Sequence, residues 1–142
     1  MTTKAVFAMA LAAVFSVAAL LAADKPADPK DEARKAASAW LALVDHGDYA
    51  KSWEQAAEIF RVRVGKEAWV STIQGVRGPL GGVKSRTLKS AEYTRSLPGA
   101  PDGQYVVIQY DTVFDNKASS VETITPALDK DNRWRVSGYY IQ

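Results

Sequence analysis

Glu122, Tyr110, Tyr139 and Tyr140 are the residues whose types could support acid–base chemistry. A carboxylate shut in an apolar pocket is harder to ionise, and beside a tyrosine it can hand over a proton. Arg77 and Arg86 could bind an anionic group in the same place. These six residues are the candidate lining of a ligand pocket, and none is assigned a catalytic role. The preferred expectation is plainer: the groups pair with one another or cap strand ends.

Other chemistries lack their residues. With no cysteine, thiol nucleophiles, thiolate metal sites and disulfides are excluded. The single histidine, His46, sits in "VDHGD" at an expected helix end, where a charged imidazole is favourable without further purpose. No Gly-x-Ser-x-Gly elbow occurs. The segment "DNKASSVE" is too short for a calcium loop and lacks its glycine. No metal and no cofactor are expected.

The stretch "GPLGGVKS", residues 78–85, invites comparison with a phosphate-binding loop. Its lysine comes one place late, because Val83 follows Gly82. The surrounding pattern runs from helix to strand, so the nearby helix end is the negative one. The stretch is read as a corner.

The elements that must position these residues change rhythm midway. Asp28, Pro29, Asp31 and Glu32 mark a helix start. Ala33, Ala36, Ala37, Trp40, Leu41 and Val44 follow on one stripe, and Gly47 ends it. Asp48 is expected to cap a second helix carrying Tyr49, Trp53, Ala56, Ala57 and Phe60. A third is expected from Lys66, with Trp69, Val70, Ile73 and Val76 on one side, failing at "GVRGPLGG". From there the period is two. "YVVIQYDTVF" alternates cleanly, "RWRVSGYYI" puts Trp134, Val136 and Tyr140 on one side, and "VKSRTLKSAEYT" and "SVETITPALD" complete four strands. Pro126 implies an edge or a bulge. The fold class is therefore α+β, with N-terminal helices packed on a curved antiparallel sheet of about four strands. The four tryptophans are expected inside.

The 142 residues suit one domain. "MTTK", then eighteen uncharged residues to Ala22, then an abrupt polar turn, is the layout of a secretory signal peptide, expected to be cut after Ala22 or Ala23. Residues 1–23 are read as that leader and 24–142 as the domain. Loss of Lys4 leaves a net charge of +1, with both signs interspersed. That composition predicts no nucleic-acid partner, and no stable membrane anchor is expected after cleavage. The basic spot Arg61, Arg63 and Lys66 is read as a solvated face.

"RGPLG", "SR", "LPGAPDGQYVVIQYDTVF", "ET" and "WRVSGYYI" together resemble a bacterial family of small exported proteins catalogued as domain of unknown function 4019. The matching residues include Trp53, Trp69, Arg77, Arg86, Pro98, Asp102, Tyr105, Tyr110, Glu122, Trp134 and Tyr139. Asn132 departs from the pattern, which often has glycine there. The resemblance brings no catalytic residues. It implies a helix-then-sheet order similar to the cone-shaped, cystatin-like fold of nuclear transport factor 2 and the ketosteroid isomerases. The function expected is a periplasmic or secreted module, non-enzymatic, binding a small molecule or an envelope protein. The alternatives are a pocket enzyme using Glu122 with a tyrosine, and a purely structural envelope protein.

Overall fold

A computed structural model describes residues 25–142. The expected leader, residues 1–23, lies outside the described residues. Four helices precede four strands: α1 (Pro29–Asp45), α2 (Tyr49–Glu54), α3 (Glu58–Arg63) and α4 (Lys66–Leu80), then β1 (Val83–Thr94), β2 (Tyr105–Phe114), β3 (Lys117–Leu128) and β4 (Trp134–Ile141). The strands form an open antiparallel meander in the order β1-β2-β3-β4. The α+β reading holds. Among the described residues no helix is long and apolar enough to cross a membrane.

α1 begins as its sequence dictates. Asp28 accepts a hydrogen bond from the Lys30 amide at 2.9 Å, Pro29 opens the helix, and Gly47 leaves it at φ +80°. Ala33 and Ala37 are wholly buried, and their small side chains let the helix lie close on the sheet. Trp40, Leu41 and Val44 continue the stripe and meet Trp69 and Ile73 of α4, Val106, Ile108 and Tyr110 of β2, Ile124 and Val136. Trp40 stacks at a tilt on Trp69, centroids 5.9 Å apart, and Phe60 meets Trp69 edge-on at 5.0 Å. Buried indoles need acceptors. Trp40 Nε1 donates to the Ser52 carbonyl at 2.8 Å, and Trp69 Nε1 to the Ser52 hydroxyl at 3.0 Å. Ser52, fully buried, thus serves two indoles at once.

Three helical expectations are corrected. The second helix breaks at Gln55–Ala57, because the Ala57 amide leaves the helical ladder to donate to the Val136 carbonyl of β4 at 2.8 Å. Asp48 precedes α2 without a side-chain cap bond. α4 runs on through Gly78 and Pro79 to Leu80. The residue four before Pro79 is Gly75, and so late in the helix a missing amide costs little. The buried stripe of α4 is then Trp69, Ile73 and Arg77, which leaves Val76 43% exposed.

The corner after α4 explains its glycines. Gly81 has φ +72°, and a Cβ there would lie 2.9 Å from the Asp115 Cβ. The Gly82 amide donates to the Asp115 carboxylate at 2.9 Å, while the Asn116 amide donates to the Leu80 carbonyl. The amide that a phosphate would have sought is therefore given to an acid of the β2–β3 turn.

Bulges set the faces of the sheet. β1 carries two, at Lys84 and Lys89, which twist the edge strand and blunt it against foreign strands. In β4, Thr125 faces Gly138 while Pro126 faces Val136, so Ser137 is the extra residue opposite the proline. The bulge expected at Pro126 is there, in the partner strand. Asn132 takes the left-handed conformation, φ 61°, in the β3–β4 turn, a role that suits either asparagine or glycine.

Ser52→Ala is expected to strand the Trp69 indole and lower stability by about 1–3 kcal/mol, whereas Lys51→Ala on the exposed side of α2 should stay within about 0.5 kcal/mol. Urea denaturation followed by tryptophan fluorescence measures both.

Candidate functional site

Arg86, Thr112, Glu122 and Tyr139 come from four different strands and converge on one face of the sheet. Arg86 pairs with Thr112, Thr112 with Ser120, Tyr110 with Glu122, and Ile124 with Tyr139. Alternation then places Glu122 diagonally between Thr112 and Tyr139, within reach across the strands. The helices contribute Asp45, the last residue of α1, and Arg77, in the last turn of α4.

The Glu122 carboxylate is wholly buried and fully engaged. Arg86 donates to it through Nε at 2.7 Å and Nη2 at 3.2 Å, Thr112 Oγ1 donates at 2.5 Å, and the Tyr139 hydroxyl makes a short bond to the second oxygen. Arg86 also forks onto Asp45, Nη1 to Oδ2 at 2.8 Å and Nη2 to Oδ1 at 3.0 Å. Arg77 Nη2 donates to the same Asp45 Oδ1 at 2.9 Å. The Arg77 guanidinium, 4% exposed as a residue, lies over the Phe114 ring at 5.0 Å, an arrangement that favours a cation. Its Nε and Nη1 have no hydrogen-bond partner among the described residues.

Two cations face two anions, so the cluster is electrically closed. Burial tends to raise the Asp45 carboxyl, but the hydrogen bonds and charge of Arg86, then those of Arg77, outweigh it and hold the group below the usual carboxylate value. Burial, followed by the charge of Glu122 and the bond to it, pushes the Tyr139 hydroxyl well up. It stays protonated and acts as a donor. For Arg86, burial is outweighed by its bonds to Asp45 and Glu122, and its affinity for its proton rises.

Of the six sequence candidates, the structure brings Arg86, Glu122 and Tyr139 into direct contact and joins Arg77 through Asp45. Tyr110 is buried in register with Glu122 and packs in the apolar cluster, without a hydrogen bond to that carboxylate. Tyr140 is 53% exposed and sits on the opposite face. The expectation that Tyr140 shares a side with Val136 is corrected: the extra residue Ser137 inverts the alternation, so Val136 and Tyr139 point inward. His46 is exposed, its Nδ1 2.5 Å from the Ala42 carbonyl of its own helix. Two members of the cluster were missed. Asp45 carried a signal, since it continues the spacing Ala37–Leu41 along α1 and is an acid at the helix end that disfavours one. Thr112 is one of many strand threonines, and nothing in its type marks it out.

None of the five principal clefts found among the described residues is lined by any of the six candidates. The clefts lie elsewhere. One of about 430 Å³ runs between α3 and the ends of β2 and β3, lined in part by Ile59, Val62, Tyr105 and Leu128. A neighbouring one of about 290 Å³ opens between α3, the loop 95–104 and the β4 bulge. A third, about 390 Å³, lies beside Trp134, Arg133 and Gln55. Among the described residues no three His, Asp or Glu side chains gather as a metal ion would require.

Residues 36–139 match the family model described as protein of unknown function (DUF4019). No curated protein matches the chain.

Two predictions follow from the cluster's charge balance. Arg86→Met strands the buried Glu122 charge and is expected to cost about 3–5 kcal/mol. Adding Glu122→Gln removes that charge while keeping an oxygen to accept from one of the Thr112 and Tyr139 hydroxyls and an NH2 to donate to the other, and should recover more than half of the loss in urea denaturation. The pH dependence has a definite sign. Asp45 has a folded pKa below its unfolded value of about 3.9, so its contribution is complete above that pH and disappears as pH falls through the folded value. The stability gap between the native protein and Asp45→Asn should be widest near neutrality and shrink below about pH 4, measured by urea midpoints across pH.

Proposed function

The chain belongs to the family described as protein of unknown function (DUF4019), and for it we propose a periplasmic or secreted, non-enzymatic binding module. Its ligand is a small molecule or another protein of the envelope. The observation that carries the reading is the separation of charge from space. The arginines and acids able to do chemistry neutralise one another in the interior, while the principal clefts lie apart from them, two of them at the end of the molecule built by α3 and the loop 95–104. A general base must touch the proton it removes. The Glu122 carboxylate is fully buried, already accepts four hydrogen bonds from three residues and borders none of the principal clefts, so the proton-transfer alternative has little behind it.

Export is supported by the charged, apolar and small-residue layout of residues 1–23. An exported chain without disulfides needs a firm interior, and the apolar cluster beneath α1 supplies one.

The test uses protein purified from its native envelope. Mass spectrometry is expected to find a mature chain beginning at Ala23 or Asp24, with a small molecule or a protein retained. Recovery of an uncleaved Met1 chain from the cytosolic fraction would remove the export reading. A turnover abolished by Glu122→Gln would replace the binding module with an enzyme.

A further inference from the structure

The slot between α3, the loop 95–104 and the β4 bulge carries more than a hollow. Its floor is Tyr105, whose hydroxyl is already spent on the Pro101 carbonyl at 2.6 Å. Its walls are Phe60 of α3 and Leu97 and Ala100 of the loop, with Gly138 beside the bulge. Tyr105 and Thr125 project from the sheet face opposite that of Glu122, while the wall residue Phe60 also packs edge-on against Trp69 of the main core.

Among all the residues lining this slot only one bears a formal charge, Arg63. Among the described residues Arg63 makes no salt bridge and no side-chain hydrogen bond. The other arginines of the basic spot and the sheet differ: Arg61 donates to the Ala56 carbonyl, and Arg135 to Asp129 and Asp131. A Cβ added at Gly138 would meet no atom within 4 Å. The space facing that glycine is therefore not claimed by the fold.

We propose that this slot binds a compact apolar molecule carrying one carboxylate, with the apolar body against Tyr105, Phe60 and Leu97 and the carboxylate on Arg63. The inference rests on the binding-module reading and gives it a ligand class. Within the slot's own lining charge complementarity favours an anion, because Arg63 is its one charge; on its other side Arg63 borders the adjoining cleft, where Glu58, Asp102 and Asp129 lie without a salt bridge to it. Volume selects the size: about 290 Å³ is at the small end of ligand sites, enough for one ring and a short tail. Arg63 is suited to the task, since its planar fork matches a carboxylate with two parallel donors.

Phenylbutyrate is the probe, and its neutral alcohol, phenylbutanol, is the control. In amide NMR of the labelled protein, the Ile59, Ser137 and Gly138 resonances are expected to shift saturably with the acid and far less with the alcohol. Arg63→Gln, an exposed change, should weaken binding at least roughly tenfold, since the paired charge-assisted hydrogen bonds are lost and only a single neutral amide donor remains. Gly138→Val should abolish the shifts by filling the slot while leaving the rest of the spectrum in place. Equal response to acid and alcohol, or shifts indifferent to both variants, overturns the assignment. If a ligand recovered from native protein moves resonances only around Trp134, the slot assignment falls and the binding-module reading stands. If native protein retains nothing and phenylbutyrate moves nothing, both fall.

Discussion

Arg86 holds two carboxylates at once, and the register of the sheet depends on it. One is Asp45 at the end of the first helix, the other Glu122 in the middle of the third strand. Desolvating charges is expensive, and a buried ion pair is weak evidence of net stability. Its effect here is on uniqueness. A one-residue slip of β1 would carry Arg86 to the far face and leave Glu122 buried without its cation. β1 is an edge strand with two bulges and much exposure, so apolar burial alone would specify its register weakly. The arginine does what the apolar pattern cannot.

The same contact reaches the helices. An acid in the last turn of a helix sits against the negative end of the macrodipole. Asp45 is stable there because Arg86 forks onto it and Arg77, from α4, shares its oxygen. The end of α1, the last turn of α4 and all four strands thus converge on one neutral group of side chains. Only α2 and α3 stand outside it. They are held by other means: α2 through Ser52 beneath two indoles, and α3 through the Ala57 amide bonded to β4. α3 borders two of the open clefts, and the end of α2 borders a third together with α1.

Much of this was legible in the residues. The change from helical to alternating period, the capped α1 and the inward face of β2 all follow from spacing, because each is a long run with marked ends. Where the sequence misleads, a tertiary contact overrides a local pattern. Ala56 and Ala57 keep helical spacing with Tyr49 and Trp53, yet the chain breaks there because β4 offers the Ala57 amide a carbonyl. Tyr140 keeps strand spacing with Val136, yet one inserted residue opposite Pro126 turns it outward. Val76 is the apolar choice for the inner side of α4, yet Arg77 takes that place because the Asp45 carboxylate and a phenyl ring await it. A polar residue at a buried position cannot be inferred from periodicity, since its partners are remote in the chain. The six candidates suffered from the same blindness: their types suggested a pocket, and their separations in sequence hid that three of them bond directly to one another and a fourth joins them through Asp45.

The glycine corner makes the same point at the surface. Gly81 and Gly82 present backbone amides in a tight turn, which is what an anion-binding loop requires. The fold supplies its own anion, Asp115, from the hairpin two strands away. Asp45, Glu122 and Asp115 are each taken by a donor that the chain itself delivers from a distance. Other exposed cations, Lys84 and Arg95 among them, are likewise without a salt bridge among the described residues, so what marks a cation out is the apolar hollow beside it. Arg63 is such a cation. Its position on a short helix held by few contacts, at the mouth of a slot whose lining has no other charge, sets it apart from Arg61 two residues earlier on the same helix. The contrast between these two neighbours, one spent on the fold and one not, is what directs attention to the rim and away from the interior.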